Sequence, residues 1–341
     1  MNPKAVVATV PGKIIFSGEH AVVHGCLAIA TTIDRFVKVK ATLQEKGRFS
    51  VNVRDPQQQM IFSSTELPKL ANQLRQNYQE FCSEKRAIQN VLENPWLLIQ
   101  FIVAQLHEIA PLLEVGVRLE ISSQIPIGCG LGSSAAIILG AIGAITHLIS
   151  FPINESDMMT LALEAENLQH GYSSGLDLQI CYQGGGLRYS RQQLDYFTLP
   201  ELPCYLVNTG KPQASTGECV MAVKNHFAAE SLKQAFQETA QNMARALEKA
   251  DFPLLQNAIQ DNARLLEQIG VVPARVQAFI RDIETSGGVA KVCGAGSVLG
   301  EAAGSVLVIA ENSPQELCET YGYDLLSIRT CSRGLSVEVL E

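Results

Sequence analysis

The chain has 341 residues, a formal net charge of −8 and a hydrophobic content of 47%. This length suits two domains rather than one, and the apolar content can fill two cores. Because the charge balance is acidic and contains no basic cluster, the composition argues against nucleic acid or an anionic membrane as the partner.

The N-terminus and the cysteines indicate a cytoplasmic protein. Residues 1–13 lack the long apolar core of a signal peptide and the Arg-rich amphipathic pattern of a transit peptide. The longest apolar run, which begins at Ala135, is too short and too rich in glycine for a membrane span. The nine cysteines include no Cys-x-x-Cys pair, which argues against a disulfide framework and a zinc site. We expect reduced, mostly buried cysteines, with Cys129 and Cys293 serving packing rather than catalysis.

Alternating and apolar runs in the first third of the chain predict a sheet accompanied by two helices. In chain order, the patterns predict strands over 5–10, 28–43 and 47–54, a polar loop over 55–60, helices over 68–81 and 96–109, and a strand over 116–121. The last strand leads directly into a glycine-rich segment, and this order is typical of a phosphate-binding loop.

That segment, residues 125–136 (IPIGCGLGSSAA), places three glycines and two serines directly ahead of an apolar run. Glycines allow successive N–H groups to turn inward around an anion. Residues 135–150 carry no charge, so the helix is predicted to be buried, and its first N–H groups need an acceptor. A phosphate group meets this need, and a glycine-rich turn before a core helix is the alternative. Neither the Walker loop nor the dinucleotide fingerprint matches the spacing.

Beyond this segment the pattern becomes increasingly helical. It predicts a helix over 155–170 that ends at Gly171, strands over 178–181 and 204–208, long helices within 215–249 and 253–268, and short strands over 305–310 and 335–340 with helical segments before and between them. No repeat or low-complexity linker marks a boundary. We place it near residue 190, between an N-terminal domain of residues 1–190 and a C-terminal domain of residues 191–341.

Three motifs together resemble those of a known family. Residues 10–25 (VPGKIIFSGEHAVVHG) resemble the first motif of the mevalonate kinases, where galactokinases usually continue Glu-His-Thr-Asp and phosphomevalonate kinases usually contain Glu-Tyr-Ala-Val. Residues 125–136 are similar to the second motif, and residues 291–296 (KVCGAG) to the third. The motifs occur in the expected order over nearly the whole chain. The resemblance implies the α/β (α+β) two-domain fold of the GHMP kinase superfamily, with an N-terminal ribosomal S5 domain 2-like domain and a C-terminal ferredoxin-like domain.

The resemblance also implies an activity. A mevalonate kinase transfers a phosphoryl group from ATP, with Mg²⁺ as cofactor, to the primary hydroxyl of (R)-mevalonate and so supplies isoprenoid precursors. The implied partners are small molecules, mevalonate and ATP, and a homodimer is compatible because the family contains dimers. Two alternatives stay open at this point: a related kinase with another hydroxylated acid or sugar as acceptor, and a non-catalytic homologue that binds a metabolite.

Two residues are implied as catalytic. Asp177, within residues 173–178 (SSGLDL), resembles the catalytic aspartate of the family's Ser-Gly-x-Asp motif. Lys13 would lie close to this carboxylate and to the transferring phosphoryl group, where it keeps the acid ionised and screens negative charge. Without the resemblance, Asp177 could equally be an aspartate that caps a turn. A lysine after Pro-Gly, such as Lys13, is by itself more typical of the protein surface. The family usually has a polar residue after this aspartate, and here it is Leu178.

Two oxygen ligands for Mg²⁺ are implied as well. Ser134 matches the hydroxyl ligand of the mevalonate kinases, and Glu166, within residues 163–171, matches the acidic ligand. Two protein oxygens suffice because waters and ATP phosphates complete the octahedron. Glu164 competes for this role, but residues two apart on a helix point to different faces, and the family's spacing to the next motif favours Glu166.

The remaining implied contacts concern ATP and the acceptor. Glu19 and His20 match positions that face mevalonate, where they can bond its hydroxyls or carboxylate, and Thr216 resembles a hydroxyl residue near the substrate. The other five histidines receive no role. The implied ATP contacts are Gly128, Gly130, Leu131, Gly132, Ser133, Ser134 and Ala135.

The third motif, which begins Gly294, Ala295, Gly296, departs from the family at its end. Mevalonate kinases typically continue with further glycines, whereas this chain continues with Ser297, Val298 and Leu299. Such residues rarely adopt left-handed backbone angles, so we expect this loop to follow a different path. Its contacts with the substrate and with the phosphate loop are therefore open, and the acceptor preference could differ.

Overall fold

A computed structural model describes residues 3–54, 57–110, 115–126, 129–190, 193–200, 202 and 204–340. The described residues form two sheets with helices packed on them, which confirms the predicted α/β class. The strands are β1 Ala5–Ser17, β2 Ala28–Gln44, β3 Arg48–Val53, β4 Gln58–Ser63, β5 Gly116–Ser123, β6 Gly186–Ser190, β7 Gln193–Phe197, β8 Cys204–Asn208, β9 Val289–Cys293, β10 Ser305–Ile309, β11 Asp324–Ser327, β12 Thr330–Cys331 and β13 Ser336–Leu340. The α-helices are α1 Leu67–Cys82, α2 Trp96–Ile109, α3 Ser133–Leu148, α4 Glu155–His170, α5 Leu176–Gln183, α6 Thr216–Val223, α7 Glu230–Lys249, α8 Phe252–Gln268, α9 Ala274–Thr285 and α10 Gln315–Tyr321.

The larger sheet contains nine strands within the described residues. Its main path runs β13-β1-β2-β5-β3-β4, and β6 and β12 also pair with β2 while β7 pairs with β6. Strands β1 and β2 pair antiparallel, with a register shift between Pro11 and Gly12. Because such a shift turns the strand locally, it affects the direction in which the next side chain, Lys13, leaves the sheet.

Helix α3 packs across β1 and β2 and forms the centre of the larger core. Its uncharged sequence is buried along most of its length, as predicted. A Cβ atom on Gly140 would lie 2.8 Å from Cγ2 of Val39, so this glycine lets the helix approach the sheet closely. The close packing fixes the start of α3 above the centre of the sheet.

The smaller sheet has the antiparallel order β11-β8-β10-β9. All five residues of β9 and of β10 are buried, since α8 and α9 pack against β9 and the sheet meets the first motif on its other side. Strands that are buried on both faces carry continuous apolar runs instead of alternation. The run of β10 is continuous and was predicted, whereas Lys291 interrupts the run of β9, which the sequence pattern did not predict.

Two predicted elements are wrong. The strand predicted over 178–181 is part of helix α5, which begins after Gly175 in a left-handed conformation. The run Leu-Asp-Leu-Gln-Ile alternates in polarity over too few residues to separate a strand from a short helix, and packing against α3, α4 and the sheet selects the helix. The polar loop predicted over 55–60 is largely strand: Asp55 and Pro56 lie outside the described residues, and β4 begins at Gln58 as a partly exposed edge strand paired with β3.

The predicted domain boundary near residue 190 stays a prediction. The larger sheet takes strands from both sides of that position, because β7, β12 and β13 all follow it in the chain. Strand β13 pairs with β1 through Ala5–Leu340 and the four following pairs, so the C-terminus returns to the first sheet. Residues far apart in sequence therefore border the same surface.

Two expectations about composition can be compared with the structure. All nine cysteines lie in the described residues, none is disulfide-bonded, and seven of them are buried. No helix in the described parts of the chain is long and apolar enough to cross a membrane.

Candidate active site

Lys13 and Asp177 form an ion pair where β1, α3 and α5 meet. The Lys13 backbone N–H donates to the carbonyl oxygen of Leu131 over 3.0 Å, which ties the strand to the glycine-rich loop. Lys13 Nζ lies 3.0 Å from Asp177 Oδ2, and the two side chains are 2% and 31% exposed. Asp177 occupies the first turn of α5. The pair therefore combines a fixed, buried cation with a carboxylate that a ligand can reach.

Gly132 lets the glycine-rich loop lie directly on the Lys13 side chain. It has a φ of 76° and immediately precedes α3. A Cβ atom at this position would lie 2.8 Å from Lys13 Cγ and 3.4 Å from Cys181 Sγ, so any larger residue would displace the lysine. The first motif and the start of α3 thus form one continuous site.

The surroundings of Lys13 keep its side chain charged. Burial lowers the pKa of Lys13, whereas the charge of Asp177 and its hydrogen bond to Lys13 raise it, and the resulting pKa lies above its ordinary value. Burial, followed by the charge of Asp177, raises the pKa of the Cys181 thiol well above its ordinary value. Cys181 is therefore a neutral neighbour of the ion pair, in agreement with a packing role.

Glu166 is the buried acid of the site. It is 3% exposed on α4, and burial followed by the charge of Asp177 raises the pKa of Glu166 to about 8. Ser173 Oγ donates a short hydrogen bond to Glu166 Oε2 and accepts one from the Gly175 N–H over 3.0 Å. Ser173 thereby connects the helix that carries Glu166 to the turn that precedes Asp177.

Glu164 faces a different part of the molecule. Its Oε1 atom lies 2.8 Å from Arg75 Nε, and its Oε2 atom accepts from Gln105 Nε2 over 2.7 Å. These partners belong to α1 and α2. Of the two acids considered for a metal ion, the structure thus places Glu166 beside Asp177 and Glu164 in a bridge between helices.

Ser134 lies in the first turn of α3 and faces α4. Its hydroxyl donates to Gln169 Oε1 over 2.8 Å. Gln169 is three residues after Glu166, and residues at this spacing are neighbours on a helix surface. The Ser134 hydroxyl group and the Glu166 carboxyl group therefore lie near each other where α3 packs against α4. Two ligands of one cation need to be near each other in this way.

The glycine-rich loop contacts the third motif. A Cβ atom on Gly130, whose φ is 73°, would lie 2.6 Å from the carbonyl oxygen of Cys293 and 3.1 Å from Cα of Gly294. Gly128 lies outside the described residues. Leu131 and Ala135 are buried, and Ser133 is half-buried at the helix start, where the first N–H groups have no acceptor within the helix.

The third motif keeps this contact despite its changed sequence. Gly294 and Gly296 have φ values of 93° and 63°, whereas Ser297, Val298 and Leu299 are not among the described residues with positive φ. Ser297 is buried, and its hydroxyl donates to the Leu299 carbonyl oxygen over 2.6 Å. The loop after Gly296 is thus stabilised by a serine in place of glycines, while the part that meets Gly130 is unaltered.

This contact leads to a stability prediction. Gly130→Ala should lower the free energy of unfolding by at least about 2 kcal/mol, because the methyl group meets a backbone oxygen at a position where positive φ already disfavours alanine. Urea unfolding measures the change. Gly270→Ala is the matched control, since Gly270 has a φ of 79° but nothing within 4 Å of its Cβ position. Equal losses in the two variants would contradict the contact.

Glu19, predicted to face the acceptor, is a buried partner of Lys291. Lys291 Nζ forms a short ion pair with Glu19 Oε1 and donates to the Ile15 carbonyl oxygen over 3.0 Å. Glu19 Oε2 is buried and has no hydrogen-bond partner among the residues that the structure describes. Burial raises the pKa of Glu19, although Lys291 opposes the shift. Only one oxygen of this carboxyl group is therefore satisfied internally.

His20 is held in an unusual conformation beside Glu19. Its φ of 61° is positive, and its Nε2 atom lies 2.9 Å from the carbonyl oxygen of Ala295. A carbonyl accepts only, so Nε2 carries the proton and Nδ1 is an acceptor, which is buried without a partner. Burial lowers the pKa of His20 to about 4, and the ring is neutral at physiological pH. Strained conformations of this kind are often found at ligand sites.

Thr216 lies at a greater remove from the ion pair. It is exposed in the first turn of α6, which is capped by Ser215. A Cβ atom on the next residue, Gly217, would lie 3.1 Å from the carbonyl oxygen of His170, at the end of the helix that carries Glu166. The structure thus places Thr216 near the C-terminal end of α4. Among the described contacts, none joins Thr216 to Lys13 or Asp177.

Three residues of this region were missed by the sequence analysis: Lys291, Ser173 and Gln169. Lys291 is a single charge in an otherwise apolar run, VAKVC, which is a signal that a buried partner exists. Gln169 follows Glu166 at helical spacing, and Ser173 precedes the Gly175 turn. Nothing in the sequence alone indicates that Gln169 contacts Ser134 or that Ser173 contacts Glu166.

Comparison with known proteins gives a consistent result. A model of the GHMP kinase N-terminal domain matches residues 97–185. A mevalonate kinase of Thermococcus onnurineus is 30% identical over 304 residues, which cover 85% of this chain and 86% of that protein. The crystal structure of the Methanococcus jannaschii mevalonate kinase has a TM-score of 0.76 at 22% identity and covers 95% of this chain and 98% of that one.

A sugar kinase shares the fold equally well. The crystal structure of Lactococcus lactis galactokinase complexed with galactose also has a TM-score of 0.76, at 15% identity, and covers 98% of this chain and 95% of that one. These likenesses confirm the GHMP kinase fold that the three motifs implied. The fold by itself does not select between the acceptors of these enzymes, so that choice depends on sequence similarity and on the site.

Proposed function

The chain belongs to the mevalonate kinase family and is a kinase, and we propose that it phosphorylates the primary hydroxyl of (R)-mevalonate with ATP, giving 5-phosphomevalonate for isoprenoid precursor synthesis. The observation that carries this proposal is the Lys13–Asp177 ion pair, with its nitrogen and oxygen 3.0 Å apart, set against Gly132 at the start of α3. A cation, a reachable carboxylate and a phosphate-binding helix start are the parts that phosphoryl transfer requires.

Asp177 acts as the base in this proposal. Its carboxylate is 31% exposed and accepts the proton of the primary hydroxyl while that oxygen attacks the terminal phosphorus of ATP. The Lys13 ammonium stays beside Asp177 and stabilises the charge on the transferring group. Because Lys13 is buried and its backbone bonds to Leu131, its position relative to the helix start is fixed before any ligand arrives.

The start of α3 holds the phosphates. The N–H groups after Gly132 have no acceptor within the helix, and the helix dipole favours an anion at this end. The buried apolar body of α3 keeps these groups directed away from the core. ATP contacts are accordingly assigned to Gly130, Leu131, Gly132, Ser133, Ser134 and Ala135.

Glu166 and Ser134 fit a Mg²⁺ ion that accompanies ATP. Ser134 donates its hydroxyl proton to Gln169, so its oxygen lone pairs are available, and Glu166 is a buried carboxyl group that a divalent cation would stabilise in its charged form. Within the described residues, no group of three His, Cys, Asp or Glu side chains forms a self-sufficient metal site. Two oxygens suit Mg²⁺, which keeps waters and phosphate oxygens as its other ligands and polarises the transferring group.

The titration of Glu166 gives a pH prediction. Its pKa of about 8 lies above the ordinary 4.5, so the metal-free folded protein holds a proton on this group between those values, and Mg²⁺ must displace that proton. The apparent Mg²⁺ affinity of the nucleotide complex should therefore rise about tenfold per pH unit below pH ~7 and level off above pH ~8. Titration calorimetry with a non-hydrolysable ATP analogue measures it.

Two variants isolate this effect. In Glu166→Gln the protein contribution to the pH dependence should vanish, leaving only that of the nucleotide. Glu164→Gln, on the same helix but bonded to Arg75, should keep the wild-type profile. A profile in Glu166→Gln that matches the wild type would remove Glu166 from the metal site.

The pH dependence of stability gives a second readout for Glu166. Since the folded metal-free protein binds more protons than the unfolded chain between pH ~4.5 and pH ~8, its stability should fall as pH rises through this window. The fall should be smaller in Glu166→Gln.

The acceptor assignment is supported by the free polar atoms near the first motif. Glu19 Oε2 and His20 Nδ1 are both buried acceptors without a partner in the described part of the chain. Mevalonate has two hydroxyl groups. When the primary hydroxyl group binds to Asp177, the tertiary hydroxyl group can donate a hydrogen bond to Glu19 Oε2 or His20 Nδ1. Thr216, on the rim near α4, is assigned to the same ligand.

An acceptor panel tests the function. ADP release with mevalonate, galactose, homoserine and phosphomevalonate as acceptors should give a kcat/KM for mevalonate that exceeds each of the others by at least about 100-fold, the discrimination expected of a site whose buried acceptors match the positions of one ligand's donors. A higher value for another acceptor would identify a different substrate. No ADP release with any acceptor would contradict the kinase assignment.

A further inference from the structure

A buried ion pair joins the two sheets beside the acceptor site. Lys291 lies at the centre of β9 in the smaller sheet, and Glu19 follows β1 of the larger sheet. The side chains are 0% and 1% exposed, and the ammonium group also donates to the Ile15 carbonyl oxygen over 3.0 Å. The lysine therefore has two partners, and both belong to the first motif.

One face of β9 and the loop after it contacts the first motif repeatedly. Alternate residues of a strand share a face, and positions 291, 293 and 295 all contact residues 15–20. The Ile15 N–H donates to Cys293 Sγ over 3.2 Å, and His20 Nε2 donates to the Ala295 carbonyl oxygen over 2.9 Å. This row of contacts fixes the backbone on both sides of Glu19.

A lysine at this position is energetically demanding. A buried ion pair often contributes less to stability than apolar residues of the same volume, because both charges lose their hydration. The neighbours of Lys291 in β9 are Ala290 and Val292, so an apolar side chain would fit the strand. Stability alone thus gives a weak reason for the charge, whereas control of the Glu19 carboxyl group gives a direct one.

We propose that Lys291 is a positioning residue of the acceptor site, which holds Glu19 Oε1 in an ion pair so that Oε2, without a partner among the described residues, is presented to a hydroxyl group of the acceptor. This proposal rests on the proposed function, since it requires that the acceptor binds beside the first motif. Lys291 itself need not touch the acceptor. Its effect passes through Glu19, which distinguishes it from Lys13 in the phosphoryl-transfer site.

The chemistry of the pocket follows from this arrangement. Glu19 Oε2 accepts only, and so does His20 Nδ1 in the tautomer that the Ala295 contact requires. Two adjoining acceptors favour a ligand that offers hydroxyl donors and disfavour a ligand carboxylate, which would be repelled by Glu19. The acceptor's own carboxylate must therefore lie away from this pair.

Without Lys291 this selectivity should be lost. Burial would then favour the neutral form of Glu19, because its hydrogen-bonded cation is lost and only the weaker effect of Lys13 remains. A protonated Glu19 could rotate and donate a hydrogen bond to a backbone carbonyl group. The acceptor would then lose one hydrogen bond and would no longer be held in a single orientation. Nucleotide binding at the start of α3 should be unaffected, because its contacts involve other groups.

A double-mutant cycle tests the proposal. Lys291→Met and Glu19→Gln should each raise the KM for mevalonate about tenfold, the equivalent of one hydrogen bond, with little change in the KM for ATP. The double variant Lys291→Met/Glu19→Gln should be no worse than Glu19→Gln alone. It also carries no unpaired buried charge, so it remains measurable if Lys291→Met alone fails to fold.

The outcomes separate a positioning role from a structural one. Additive losses in the double variant, or an equal rise in both KM values, would show that Lys291 supports the fold and would overturn the proposal. Lys233→Met is the matched control. It removes the lysine of a different ion pair, in which Lys233 is 32% exposed and its partner Glu230 is 85% exposed, and it should leave both KM values unchanged.

The cycle is run with the acceptor that has the highest kcat/KM in the panel. A wrong substrate would then contradict the proposed function without deciding the role of Lys291. Coupling between positions 19 and 291 would still support the positioning role for that acceptor.

Discussion

Replacing Asp177 with Asn is expected to lower kcat by about 10²- to 10⁴-fold, the range that a positioned general base contributes. The amide has the same shape and can still accept from Lys13, so the site should keep its structure. Because the carboxylate serves the attacking hydroxyl, the affinity for Mg·ATP should be nearly unchanged. Steady-state kinetics and titration calorimetry with an ATP analogue measure the two effects separately.

Asp324→Asn is the matched control for this variant. It makes the same chemical change at an exposed position of β11, in the smaller sheet, and kcat should not change. Wild-type turnover in Asp177→Asn would contradict the assignment of the base. A loss of nucleotide affinity equal to the loss of kcat would instead indicate a role for Asp177 in binding ATP.

Lys13→Met should lower kcat by about 10²- to 10³-fold, because the fixed cation beside the transferring group is lost. The unfolding free energy should also fall, because Met leaves the Asp177 carboxylate without its cation, but the fall is limited because this carboxylate is 31% exposed and can be hydrated. The loss of turnover is thus predicted to exceed what a loss of folded protein explains. Kinetics together with urea unfolding detect this separation.

The two groups should also act as one unit. If Lys13 works beside Asp177, the double variant should be about as impaired as the more impaired single variant. Lys38→Met, at an exposed position on β2, provides a control for the loss of one positive charge from the same sheet. Independent, multiplying losses would indicate that Lys13 and Asp177 serve separate steps.

Periodicity predicted the helices of this chain better than its strands. The uncharged run at α3 and the capped pattern at α4 were correctly predicted, because a single face or a complete absence of charge is visible in the sequence. Strand β9 was missed because Lys291 interrupts its short apolar run, whereas the uninterrupted run of β10 was predicted. Part of helix α5 was mistaken for a strand because the first five residues of the helix alternate in polarity.

The candidate site was predictable only in part. The phosphate-binding character of residues 125–136 follows from glycines ahead of a buried helix, and the roles of Lys13 and Asp177 followed from the family resemblance. The structure brings these two residues into contact, although 164 positions separate them in the sequence. Such a contact depends on the packing of α5 against β1, which no local pattern encodes.

The partner of Glu19 illustrates the same limit. The resemblance indicated a residue that faces the acceptor, whereas the structure adds a buried lysine from the other sheet. The third motif shows the opposite case, because its changed residues suggested an altered loop, yet Gly130 and Gly294 still meet closely. In both cases the decisive contact joins residues more than 150 positions apart.

Product identification tests the central claim most directly. The purified protein, incubated with ATP, Mg²⁺ and (R)-mevalonate, is analysed by mass spectrometry and by phosphorus NMR with proton coupling. The account predicts stoichiometric ADP and a single phosphorylated product whose phosphorus couples to the methylene protons of the primary carbon. A product phosphorylated at the tertiary hydroxyl, or ADP formed without any phosphorylated mevalonate, would contradict it.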